Sequence, residues 1–108
     1  MAQEITTSCT IRPHAPTQAM LVEGGRQIYI ITPNTTDTGD TIVITLEDFR
    51  IRNIMGVIGW IHTTKNSVTV QEQPTTAVSS GVLTITTGGS AQTDKRRAYL
   101  VSGMTRAI

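Results

Sequence analysis

The residues of this chain whose types and spacing suggest chemistry begin with Asp37-Thr38-Gly39. In aspartic proteases of the retroviral type, such a triplet supplies one carboxylate and a second identical chain supplies its partner. The two carboxylates share one proton and activate water. The chain length of 108 residues fits, and an apolar-apolar-Gly stretch follows at Val57-Ile58-Gly59. A catalytic triplet should, however, follow an apolar strand that buries it at the dimer axis. Here it follows Pro33-Asn34-Thr35-Thr36, a run of turn formers. The sequence therefore reads Asp37 as a turn residue and assigns no catalytic residue.

Asp37 and Asp40 invite a calcium reading, but calcium takes about six or more oxygens and the loop offers no third carboxylate, so an Asx turn is the better assignment. His14, His62 and Cys9 are too few and too dispersed for a metal site, and no Ser-His-Asp or Cys-His constellation is legible. No metal and no cofactor is expected. Cys9, the single cysteine, excludes an intrachain disulfide and reads as a small strand residue.

Charge narrows the partners. Nine basic and eight acidic residues leave a net charge of +1, which is no footprint for nucleic acid or an anionic membrane. Lys95-Arg96-Arg97 and the alternating pair Arg50 and Arg52 read as solvated strand ends or as ion-pair donors to a protein neighbour rather than as phosphate contacts. A glycan platform would need exposed aromatics, and Tyr29, Phe49, Trp60 and Tyr99 are the whole supply. The first residues have neither the basic nor the apolar region of a signal peptide, so the Asn34-Thr35-Thr36 sequon carries no weight, and no apolar run approaches the ~18 residues of a membrane helix. Synthesis in the cytoplasm is the expectation.

The elements that must position these residues are strands. Forty-one residues are Ile, Val or Thr and four are Leu, a bias that suits a pleated surface and disfavours helices. Residues 3–12 read as a Thr-rich extended arm or first strand, followed by an extended connection between Pro13 and Pro16. Further strands are expected at 18–22, after which Glu23 to Arg26 signals a hairpin, and at 27–32, placed in the middle of the sandwich because Ile28 to Ile31 are uniformly apolar. Residues 33–40 form a loop. The strand at 41–49 sets Ile42, Ile44 and Leu46 against Thr41, Val43 and Thr45, with the alternation continuing to residue 53.

Ile54 to Ile61, with Gly56 and Gly59, reads as a central strand with a bulge. A turn at 63–66 and a strand at 67–71 come next, then a loop at 74–80. A strand at 81–87, a loop at 88–94, a strand at 97–102 and a tail complete the chain. About eight short strands separated by turns give a single all-β domain, a β-sandwich of jelly-roll-like or related Greek-key type over residues 13–108, with 1–12 as its arm or first strand. Four aromatics make its core one of Ile, Val and Thr methyls, for which association with neighbours would add stability.

Four stretches carry a resemblance: Asp40-Thr-Ile-Val-Ile-Thr-Leu-Glu-Asp, Ile54-Met-Gly-Val-Ile-Gly, Ser80-Gly-Val-Leu-Thr-Ile-Thr-Thr-Gly-Gly-Ser and Lys95-Arg-Arg-Ala-Tyr-Leu-Val-Ser-Gly. Across residues 26–103 this texture is similar to the small β-structured virion proteins of tailed bacteriophages, and most to capsid decoration, or cement, proteins. The resemblance implies a non-enzymatic structural subunit on the outer capsid surface. Its partner would be the major capsid protein, and it would form a homo-oligomer, a trimer in first place. Head–tail connector, tail or fibre-associated subunits are the alternative within the same class. An extended arm can join a neighbour's sheet by backbone hydrogen bonds, so Gln3, Ile5, Thr7, Cys9 and Ile11 are the expected interface residues.

Overall fold

A computed structural model describes residues 3–14, 25–62, 69–88 and 94–104. Eight strands build it: β1 (Thr10–His14), β2 (Gly25–Ile31), β3 (Thr41–Thr45), β4 (Asn53–His62), β5 (Thr69–Glu72), β6 (Thr75–Ser79), β7 (Val82–Thr86) and β8 (Arg97–Met104). They form two antiparallel sheets, one of five strands in the order β1-β2-β8-β4-β5 and one of three in the order β3-β7-β6. The all-β two-sheet domain is the class the sequence announces. The expected strand at 18–22 and the turn at 63–66 lie outside the described residues, as do Glu23 and Gly24 of the hairpin signal, while Gly25 and Arg26 open β2.

Period-two alternation fixes which side of each strand faces the core. Ile28 and Ile30 of β2, Ile42 and Ile44 of β3, Leu83 and Ile85 of β7, and Tyr99 and Val101 of β8 are buried between the sheets, with Leu46 and Ile51 closing one end. Strand β4 carries the expected bulge, a register shift against β8 between Ile54 and Gly56. Gly59 of β4 stands opposite Tyr99 on one side and Glu72 on the other. A Cβ at Gly59 would come within 2.8 Å of the Tyr99 ring, so only glycine lets that ring lie across β4.

Three local expectations are corrected. Residues 74–80 are not a loop: Thr75–Ser79 pair with β7 as β6, and Ser80 and Gly81, at φ 51° and 77°, make the two-residue turn between them. Positive φ at both positions is the type I′ signature whose twist matches a hairpin. The strand from Thr41 ends at Thr45. Leu46–Phe49 form one turn of 3-10 helix closed by Arg50 at φ 58°, which breaks the alternation through residue 53. Finally, β2 is interior to its sheet as expected, but Tyr29 and Ile31 point outward and are exposed. A strand in the middle of a sheet has two faces, and here only one meets the core.

The N-terminal segment is tied into its own chain. The Ile5 N–H donates to Thr41 O at 2.8 Å, the Thr41 N–H to Gln3 O at 2.9 Å and the Val43 N–H to Thr6 Oγ1 at 2.8 Å. Residues 3–6 thus cover the free side of β3, and β1 then joins the other sheet, so the segment straddles the two layers.

Candidate functional site

The Asp37-Thr38-Gly39 triplet is a turn bound on every side by the chain itself. The Asp40 carboxylate accepts the Asp37 N–H at 2.9 Å and the Gln3 N–H at 3.1 Å, and Asp37 Oδ1 accepts the Asp94 N–H at 3.0 Å. Gly39, at φ 98°, donates its N–H to Thr87 Oγ1 at 3.0 Å, and the Thr87 hydroxyl donates to Asp37 O at 2.8 Å. These bonds spend the polar groups on holding loop 32–40 against the end of β7. Among the described residues, no three His, Cys, Asp or Glu side chains gather where a metal ion could sit.

Arg97 corrects a further expectation. It is not a solvated strand end: it is fully buried, on the same side of β8 as Tyr99 and Val101. Its guanidinium donates to Thr36 O at 3.0 Å, Lys95 O at 3.3 Å, Thr38 Oγ1 at 3.1 Å and Gly88 O at 3.1 Å. Its N–H donates to Thr32 Oγ1 at 2.8 Å. A planar fork with several donors suits this task of drawing loop carbonyls together. Alternation with Tyr99 and Val101 was the signal in the sequence, hidden by the basic run Lys95-Arg96-Arg97.

Beside this clamp, Glu72 is buried and its Oε1 accepts the Gly88 N–H. Burial, and after it Glu72, raises the Tyr99 phenol well above its ordinary range. The Tyr99 hydroxyl and Glu72 Oε2 are buried without a well-formed hydrogen-bond partner, and the adjacent Glu72 carboxylate disfavours the phenolate. Buried polar groups left unpaired are costly.

The five expected interface residues divide. Ile5 belongs to the core, Cys9 and Ile11 pack against it, and Gln3 and Thr7 are exposed. Burial pushes the Cys9 thiol up to about 11. The side chains with the most apolar character are therefore already engaged by this chain. His14 lies at the end of β1 and His62 at the end of β4, which the register places on different strands of the same sheet.

The surface that sequence reasoning missed is the outer face of the five-stranded sheet. Across it, register sets Arg12, Tyr29, Leu100 and Ile58 in one row and Thr10, Ile31, Ala98, Trp60 and Gln71 in the next. Tyr29, Ile31, Ile58 and Trp60 keep 37–45 % of their surface exposed, too much for four neighbouring large side chains to be a core. With strands about 4.8 Å apart, the row from Tyr29 to Ile58 spans roughly 10 Å. A hollow of about 440 Å³ adjoins it, lined by Ile31, Trp60, His62, Arg96 and Ala98. A continuous apolar patch with a polar and basic rim is how protein-binding surfaces are built.

No family model, no curated protein and no solved structure matches this chain.

Proposed function

We propose that this protein is a non-enzymatic structural subunit that works by attachment, and that it is a capsid decoration protein bridging major capsid subunits on the outer surface of a tailed-bacteriophage head. The observation that carries the reading is the apolar outer face centred on Tyr29, Ile31, Ile58 and Trp60. A decoration protein needs no chemistry; it needs a rigid body and a complementary face large enough to hold against outward pressure. The sandwich supplies the first and the exposed sheet the second, and the resemblance of the Thr-rich strand texture to small virion proteins supports the reading. Oligomerisation, as a trimer, multiplies the attachment points.

A glycan-binding reading draws on Tyr29 and Trp60, two of the four aromatics, lying on one face. Between them, however, stand Leu100, Ala98, Ile31 and Ile58, aliphatic groups that offer sugar hydroxyls no hydrogen bonds. Such a floor suits protein side chains better. The same face with a ring partner in place of a capsid would make a neck or tail subunit.

Immunogold labelling of virions with antibody to the purified chain tests the proposal. Gold spread over the head supports it, gold confined to the neck or tail moves the protein to that site, and unlabelled virions overturn the structural reading. Light scattering after gel filtration, at two concentrations, gives the companion measurement of mass, with a trimer expected.

A further inference from the structure

The three-stranded sheet has a second surface of interest at its other side. Strand β6 pairs only with β7 among the described residues, whereas β3's far side is taken by residues 3–6. Edges are usually guarded by charge or proline, and β1 carries Arg12 and Pro13. Thr75–Ser79 carries neither, keeps an unbroken register and is exposed at all five residues. Ser79 and Val82 flank the two-residue turn and so exchange both backbone bonds; by alternation, the N–H and C=O of Thr76 and Val78 point away from β7.

The side chains of Thr76 and Val78 stand opposite Ile85 and Leu83, so they face inward, yet Val78 is 54 % exposed. It borders a groove of about 830 Å³ at which the otherwise buried Leu46 and Ile51 show only an edge. Three arginines, Arg26, Arg50 and Arg52, line the same groove against one acid, Glu47.

We infer that the edge of β6 and this groove bind an extended acidic segment of a partner protein, which adds to the three-stranded sheet as a fourth strand. Backbone pairing to Thr76 and Val78 supplies the register, an inward apolar side chain of the segment meets Val78, and its carboxylates meet Arg50 and Arg52. A second copy of β6 fits poorly, because Thr-Thr-Ala-Val-Ser has no carboxylate to offer. A nucleic acid fits poorly as well: Glu47 opposes phosphate, and the exposed Val78 and the outward peptide groups of Thr76 and Val78 would go unused. This surface is separate from the Trp60 face and stands independently of the capsid reading.

The test uses the full chain and a capped fluorescent octapeptide with threonine at alternate positions and valine or glutamate between them, followed by anisotropy at low salt. Binding is expected to be at least about tenfold tighter than for the same peptide with lysine replacing glutamate, a difference of about 1.4 kcal/mol. Arg50→Glu with Arg52→Glu should reverse that preference. Thr76→Pro removes an outward N–H while leaving the β7 ladder intact, so it should weaken binding about tenfold at an unchanged denaturation midpoint. Equal binding of the two peptides, no binding of either, tighter binding of oligothymidylate, or full binding by the folded Thr76→Pro chain would each overturn the inference. So would a dimer of the chain alone that Thr76→Pro dissociates, since the edge would then belong to a second copy.

Discussion

Replacing Arg97 by Met removes the donors that serve Thr36 O, Lys95 O and Gly88 O while leaving those carbonyls packed around an apolar chain. Stranded acceptors and a lost charge-assisted network make a loss of about 2–4 kcal/mol the expected result of urea denaturation. Arg97→Lys should recover little, because one ammonium cannot span the same acceptors; a lysine variant as stable as the parent would show that the fork is unnecessary. At Gly59, alanine would push on the Tyr99 ring and is expected to lose about 1–3 kcal/mol, with Tyr99→Leu in the same chain restoring part of it through coupling.

Protonation adds a third test at this scale. The Cys9 thiol is raised from 9.0 to about 11, so the folded chain retains a proton that the unfolded chain loses across that window. Its contribution is complete below pH 9.0 and declines as pH approaches about 11; Tyr99, also raised, acts in the same direction from 10.0 upward. The urea midpoint should fall over this range, and fall less in Cys9→Ala. A midpoint equally steep in both proteins would remove Cys9 from the account.

Among the elements, the N-terminal segment behaves differently from a detachable arm. Ile5 fills the core and the backbone of residues 3–6 covers β3, so deletion of residues 1–12 should destabilise the domain itself. Ile5→Ala alone is expected to lose about 2–5 kcal/mol; an undiminished midpoint for the deletion would return the segment to the role of an arm. Alternation made β3 and β7 legible in the sequence, because each sets Ile or Leu against Thr and Val over five residues, while β4 was legible as an apolar run interrupted by Gly56 and Gly59. Strand β6 was hidden for the opposite reason. Thr-Thr-Ala-Val-Ser is exposed throughout, so no apolar side marks it, and only the Ser80-Gly81 turn pairs it with β7. The end of β3 was hidden too, since Leu46 keeps the strand's parity while entering a 3-10 turn.

For the molecule as a whole, fold class was readable from local period and composition, but the sheet order was not. Strand β8, last in the chain, lies between β2 and β4, a pairing across long sequence separation that no local pattern encodes. The candidate surface was lost at that same step: Ile28-Tyr29-Ile30-Ile31 looks wholly buried until the sheet is known to have a bare outer side. That side leads to a thermodynamic consequence. If copies or capsid subunits cover Tyr29, Ile31, Ile58 and Trp60, association stabilises the folded form by mass action and Tm rises with protein concentration. Ile58→Asp with Trp60→Asp places charge on that face without entering the core, so it should abolish the concentration dependence and lower the mass found by light scattering while leaving the dilute-limit Tm nearly unchanged. A parent Tm flat across a hundredfold or so in concentration, with monomeric mass, would remove self-association as the use of this face and leave only the proposed capsid contact. The double variant would then be expected to fold normally and fail only in retention on heads.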